Sequence, residues 1–170
     1  DITPLRDSTN AATTTTEALD DSETAIDLLS VSGFKTAGVI IIGSEIITYT
    51  GINSLTLTGC TRGTNSTSAA AHDSGVAVTQ VLIAPIATAD ESTVITVTDS
   101  GHGAVVGDFV VFSGAAATGG VSAENLNRKA GYQIATIPNV NTYTITSPTE
   151  ATSTVSAGGG NTVVINYLIG

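Results

Sequence analysis

Side chains branched at Cβ are the feature that most restricts how this chain can fold. Thr, Val and Ile number 29, 16 and 16 among the 170 residues, whereas Leu numbers 9 and neither Met nor Trp occurs. Such side chains lose rotamer freedom in helices and pack well on the pleated surface of a sheet. The composition therefore predicts an all-β protein.

Short strand-like runs recur along most of the chain and are separated by Gly, Ser and Asn. Residues 39–42 form a continuous apolar run between two glycines, and residues 142–146 alternate between polar and apolar side chains. Runs of this length, bounded by turn-forming residues, are typical of compact antiparallel units. Residues 59–75 and the tract 152–160 are instead predicted as a long irregular loop and a flexible or long hairpin loop.

The order of these runs predicts two small antiparallel modules of the β-barrel or sandwich type. The first module is assigned to residues 23–84 and the second to residues 90–170, with Ala84-Pro85 and the acidic pair Asp90-Glu91 marking the boundary. Each module has a plausible size for an independent β unit. An extended N-terminal arm over residues 1–22 precedes them.

The N-terminal segment differs in composition from the rest. Residues 1–30 contain seven acidic residues and one base, Arg6, so that -6 of the formal charge of -10 lies there. Few large apolar residues occur in residues 1–22, and such a segment cannot alone offset its chain entropy. Two interpretations remain: a frayed terminus, or an arm that becomes ordered against a neighbouring subunit. For the arm, deletion of residues 1–22 should abolish partner binding and leave both modules folded.

The charge and hydropathy of the chain exclude several classes of partner. Fifteen acidic and five basic residues argue against nucleic acid, because binding to phosphates depends largely on Lys and Arg. The same balance argues against an anionic membrane surface, and no run approaches the roughly 18 apolar residues of a membrane span. One cysteine, Cys60, excludes an internal disulfide framework.

Potential metal ligands are few and lack the usual spacing. Cys60, His72 and His102 are the strongest ligand types, and Asp73 and Asp108 lie near the histidines in sequence. No CxxC or HxxxH pair and no EF-hand run of acids occurs, so no metal site is predicted. We expect His72 to satisfy a backbone group in its loop, His102 to lie in an exposed turn and Cys60 to be a small buried residue.

No pattern in the sequence predicts catalysis or cofactor binding. Neither GxGxxG nor a P-loop occurs, and the glycines at 158–160 precede a strand and not a helix. The carboxylate pairs Asp20-Asp21 and Asp90-Glu91 are adjacent in sequence, so they should diverge on an extended chain, and no GxSxG elbow is present. We therefore predict a protein without enzymatic activity, cofactor, or catalytic, cofactor-binding or metal-binding residues.

Part of the first module resembles a family of viral proteins. The resemblance rests on four segments: residues 43–51 (GSEIITYTG), 57–63 (LTGCTRG), 69–72 (AAAH) and 75–76 (GV). Together they resemble a module of tailed-bacteriophage virion proteins, which is characteristic of tail, baseplate and small capsid-associated proteins.

The second module is similar to another phage structural module, one labelled after a β domain of ubiquitin-activating enzymes. The similarity is carried by residues 100–103, 106–108, 113–114, 126–127, 132–134 and 141–145. Cys60 lies outside this module, so the label implies no ubiquitin chemistry.

These resemblances imply a virion structural protein. The leading hypothesis is a capsid decoration or cement protein, a homotrimer that binds the outer surface of the major capsid protein through the arm and one module. The first alternative is a phage tail, baseplate or fibre component that contacts host surface glycan, although the Tyr and Phe residues lie in or beside predicted strands and favour core packing. The second is a non-viral extracellular filament subunit or adhesin that uses strand exchange.

Overall fold

The computed structural model describes residues 11–168, and over this range the protein is all-β, as the composition predicts. The chain divides into two compact units, one over described residues 11–81 and the other over 82–168. The division follows Val81, three residues before the predicted end of the first module at residue 84. Residue 82 already pairs with the second unit, because the backbone N–H of Leu82 donates to the carbonyl of Val163 at 2.8 Å.

The first unit contains eight strands in two antiparallel sheets. They are β1 (Ala12–Thr14), β2 (Ile26–Asp27), β3 (Gly38–Ile42), β4 (Glu45–Tyr49), β5 (Gly51–Asn53), β6 (Thr56–Thr58), β7 (Thr61–Thr64) and β8 (Ala77–Val81). The larger sheet has the order β1-β8-β3-β4-β7, and the smaller has the order β2-β6-β5. β7 lies within the segment predicted as an irregular loop, so that prediction is wrong for these four residues.

The hairpin of β3 and β4 supplies much of the core of the first unit. Ile40 pairs directly with Ile47, and both are fully buried. A two-residue turn joins the strands, and its first residue, Gly43, has a φ of 59°, which favours glycine. The turn sets the register that places Glu45 opposite Ile42.

Residues 11–19 belong to the first unit. β1 pairs antiparallel with β8, and farther along the segment the backbones of Leu19 and His72 exchange hydrogen bonds of 2.8 and 2.9 Å. Ala11, Thr15 and Leu19 are buried. The segment therefore forms one edge of the larger sheet and contributes to the core.

This placement differs from the extended arm predicted over residues 1–22, of which residues 1–10 lie outside the described residues. The threonine-rich composition obscured three buried positions spaced four residues apart, Ala11, Thr15 and Leu19. Their burial depends on the edge of β8, which composition alone does not reveal.

The second unit contains eight strands and one short helix. They are β9 (Ile86–Thr88), β10 (Val94–Thr98), β11 (Phe109–Ser113), α1 (Ala123–Leu126), β12 (Tyr132–Gln133), β13 (Thr136–Asn139), β14 (Thr142–Thr146), β15 (Val155–Gly158) and β16 (Val164–Leu168). One sheet has the order β13-β14-β10-β9-β15 and the other β12-β11-β16, with antiparallel pairing throughout.

Two strands of the second unit were not predicted. β9 lies in the predicted boundary between the modules, and β15 lies in the predicted loop tract. Both are short and pair with each other, although their register is irregular between Val155 and Gly158. Ile86 and Thr88 of β9 are buried, which explains why this segment belongs to the sheet and not to a linker.

The sheets of the second unit enclose a core rich in β-branched and aromatic residues. Its largest fully buried side chains include Tyr143, Tyr132 and Phe112. Ser122 caps the helix α1, because its hydroxyl accepts a hydrogen bond of 3.1 Å from the Asn125 N–H. This unit thus has a hydrophobic core of its own.

The placement of residues 11–19 leads to a first prediction. Leu19→Ala should destabilise the first unit by about 2–5 kcal/mol, because it removes buried methyl groups and leaves a cavity. Leu29→Ala, at a side chain that is 66% exposed, is the control and should change stability by less than about 0.5 kcal/mol. Urea denaturation of the full chain, followed by NMR signals of each unit, measures both. Equal stability of the two variants would contradict the assignment of this segment to the core.

Candidate functional site

The first unit contains a buried carboxylate, Glu45, at the beginning of β4. Only 1% of the residue surface is exposed. The two-residue turn Gly43-Ser44 separates Glu45 from the end of β3 and places it opposite Ile42. A charged group so deeply buried is costly unless hydrogen bonds and an opposite charge compensate it.

Five donors compensate the Glu45 carboxylate. Arg62 donates from Nε to Oε1 at 2.8 Å and from Nη2 to Oε2 at 2.9 Å, a bidentate ion pair. The Gly63 N–H donates to Oε1 at 3.0 Å, and the Ala70 N–H donates to Oε2 at 3.2 Å. His72 Nε2 lies 2.6 Å from Oε2 and donates, since an ionised carboxylate only accepts. We call Glu45 and the four residues that supply these donors the Glu45 cluster: Glu45, Arg62, Gly63, Ala70 and His72.

Arg62 extends the Glu45 cluster to two further parts of the first unit. Its Nη1 donates to the backbone carbonyl of Asp20 at 2.6 Å, and its Nη2 also donates to the carbonyl of Ala70 at 2.7 Å. The Arg62 side chain is 6% exposed. One guanidinium therefore connects the N-terminal segment, β4 and the chain that follows β7.

Burial alone would raise the pKa of Glu45, because it penalises the charged carboxylate. Hydrogen bonds from Arg62, His72 and the amides of Ala70 and Gly63 outweigh burial and lower the pKa to about 2. The same ion pair raises the pKa of Arg62. Glu45 is consequently ionised at physiological pH.

The chemistry of the Glu45 cluster is that of a structural link. A general acid or base needs a pKa near the working pH, and the Glu45 carboxylate is far from it. Both carboxylate oxygens and His72 Nε2 are already engaged within the cluster. The arrangement therefore fixes residues 62–72 against β4.

Three of the four segments that carry the resemblance of the first module contribute to this cluster. Residues 43–51 supply Glu45, residues 57–63 supply Arg62 and Gly63, and residues 69–72 supply Ala70 and His72. No spacing pattern in the sequence predicts these contacts. The signal that the sequence does carry is the scarcity of bases, because residues 11–81 contain two, Lys35 and Arg62.

The other candidate residues of the first unit have structural roles. His72 was expected to satisfy a backbone group, but its ring pairs with the Glu45 carboxylate instead, because the loop folds back over β4. Cys60 is buried as expected, with Sγ 3.5 Å from the carbonyl of Leu57. Burial raises the pKa of the Cys60 thiol to about 11, although the charge of Arg62 opposes the shift, so the thiol is not an activated nucleophile.

The acidic residues singled out from the sequence also do not form a site. Asp20 Oδ1 accepts from the backbone and hydroxyl of Ser22 at 2.7 and 2.8 Å, and these bonds lower the pKa of Asp20. Asp108 is buried and accepts from the Val105 N–H at 3.0 Å within a turn. Asp73, Asp21 and the pair at 90–91 join no metal-binding group, since no set of three or more His, Cys, Asp or Glu within residues 11–168 could hold a metal ion.

A second buried polar group lies in the second unit. The Tyr167 hydroxyl donates to Asp99 Oδ2 at 2.6 Å and lies 3.2 Å from the Tyr143 hydroxyl. Burial raises the pKa of both tyrosines well above the ordinary value. His102 lies in a turn, as expected, but it is only partly exposed: its ring packs edge-on against Tyr143 at 5.2 Å, and Nδ1 accepts from the Ala104 N–H. These groups anchor the turn at 100–104 to the core.

Comparisons with known proteins identify no family for this chain. No family model matches the sequence, and no curated protein matches it. A solved structure that is similar is that of the Phage phi92 endosialidase, with 16% identity and a TM-score of 0.41. The match covers 98% of this chain and 29% of the endosialidase chain. At this degree of likeness neither the source nor the activity of that protein is carried over. Across residues 11–168, no helix is long and apolar enough to cross a membrane.

The Glu45 cluster leads to a prediction about stability and pH. Because the pKa of Glu45 is about 2 in the folded unit and ordinarily 4.5, its contribution is present above pH 4.5 and is lost as the pH falls towards 2. This contribution is about 3 kcal/mol. Glu45→Gln should cost about 3–5 kcal/mol at pH 7, because it leaves the buried Arg62 charge unpaired, and should weaken the acid dependence of the first unit.

Urea denaturation between pH 2 and pH 7, followed by NMR signals of the first unit, measures this effect. Glu150→Gln, at an exposed acid of the second unit, is the matched control and should leave the first unit unchanged. The account would be contradicted if Glu45→Gln retained the full stability and the acid dependence of the unaltered protein.

Proposed function

We propose that this chain is a non-enzymatic structural protein of a phage virion, and specifically a capsid decoration or cement protein. In this proposal it binds the outer surface of the major capsid protein as a homotrimer. The location is the capsid surface, with the virion tail as the alternative position.

The observation that carries the proposal is the convergence of the phage-like segments on Glu45. These segments contain the carboxylate, the guanidinium and the imidazole of the Glu45 cluster, and the three groups are hydrogen-bonded to one another through the carboxylate. Such a cluster stabilises a loop and offers no free acid, base or nucleophile. Residues that stabilise the fold in this way suit a structural subunit, which must remain folded within a virion.

The surface of the described residues also supports a role in protein contacts. Several large apolar side chains are exposed on the second unit: Val94, Val105, Val106, Phe109 and Val140, with exposures of 49%, 49%, 60%, 37% and 72%. Contact with a partner protein would remove this apolar surface from water, which favours association. The acidic balance of the chain favours an external position over one that faces DNA.

Stoichiometry in purified particles tests the proposal. We expect this chain to be present in numbers comparable with the major capsid protein, at a fixed ratio that survives washing in high salt. Quantitative mass spectrometry with labelled standard peptides from both proteins measures the ratio. A small fixed number per particle would contradict decoration and favour the tail, and absence from particles would contradict a virion role altogether.

A further inference from the structure

A groove of about 330 Å³ lies on the first unit beside β2 and the β5–β6 hairpin. Its lining includes two exposed leucines and several polar side chains: Thr16, Asp27, Leu29, Ser54, Leu55 and Thr56. The groove and the Glu45 cluster share no residue. None of the contacts described above uses it.

Backbone hydrogen bonds fix the apolar walls of the groove. Leu28, the residue before Leu29, donates its backbone N–H to the carbonyl of Leu55 at 2.9 Å. The N–H of Leu29 donates to the carbonyl of Thr14 at 3.0 Å. Although their backbones are held, the side chains of Leu29 and Leu55 remain 66% and 49% exposed. The groove is therefore preformed, with apolar surface facing solvent.

The charge in the groove is negative. Asp27 is partly buried, and within the described residues its carboxylate accepts one hydrogen bond, from Thr56 Oγ1 to Oδ1 at 2.5 Å. A second carboxylate is close, because Glu17 Oε1 accepts from the Asp27 N–H at 3.0 Å. Among residues 11–168, neither Lys nor Arg lines the groove. Over residues 11–81 there are seven acids against two bases, and one of these bases, Arg62, is committed to Glu45.

We propose that this groove binds an arginine side chain presented by a partner protein. The guanidinium would pair with the Asp27 carboxylate, and its aliphatic stem would lie between Leu29 and Leu55. Arginine suits the site because its charged group is planar and weakly hydrated, and its stem readily covers apolar surface. Charge complementarity thus selects the occupant, and the leucines supply the contact area.

A glycan fits the lining less well. In the part of the chain that the structure describes, the lining has no aromatic ring on which a sugar could stack, and Asp27 would repel an acidic sugar. The inference concerns a surface of the first unit and does not depend on a virion role. Its test, with a small peptide probe, is separate from the measurement of particle stoichiometry.

The experiment is an NMR titration of the full chain with a capped Ala-Arg-Ala peptide. We expect saturable shifts of the amides of residues 27–29 and 54–56. The same peptide with citrulline in place of arginine keeps the shape and loses the charge, so its affinity should be at least about tenfold lower. Asp27→Asn should weaken the arginine peptide to a similar extent.

Asp21→Asn is the matched control, since it removes an exposed acid of the same unit outside the groove and should leave binding unchanged. Amide spectra of both variants verify that they fold. Equal binding of the citrulline peptide, equal binding by Asp27→Asn, or shifts centred on residues 20–21 would each overturn the proposal. Shifts of the groove amides by lactose and not by the arginine peptide would overturn it in favour of a sugar.

Discussion

The buried carboxylate of Glu45 is the constraint on which the organisation of the first unit depends. An unpaired charge at this depth would cost several kcal/mol, so the fold must bring its donors together. These donors lie 17 to 27 residues away in sequence. Because Arg62 also binds the carbonyl of Asp20, one charge pair connects the N-terminal segment, a central hairpin and a long connection.

The sequence predicted those elements whose signal is local. β3 follows from a continuous apolar run between glycines, and β14 follows from alternation between polar and apolar residues. β7, β9 and β15 were missed, because they are short segments rich in Gly, Thr or Ala that become strands only through their partners. The Glu45 cluster was missed for a related reason, since its ion pair requires a tertiary contact that no spacing rule encodes.

The N-terminal segment shows how composition can mislead. Its acids and threonines predicted an arm, yet Leu19 and two small residues enter the core, and the acids at positions 17–27 are exposed or partly exposed. One of these acids, Asp27, lines the groove together with the exposed Leu29 and Leu55. The surplus of acids thus has two separate consequences: an acidic exterior, and a local site suited to a cation.

Amide hydrogen exchange tests most directly whether Glu45 holds the connection in place. The account predicts that the amides of Gly63 and Ala70 are protected near neutral pH and that Glu45→Gln removes this protection. In the Glu45→Gln variant, the amides of Ile40 and Ile47 in the central hairpin should exchange more slowly than the amides of Gly63 and Ala70. This difference distinguishes local opening of the connection from global unfolding. Unchanged protection of Gly63 and Ala70 in a folded Glu45→Gln variant would contradict the central role of this carboxylate.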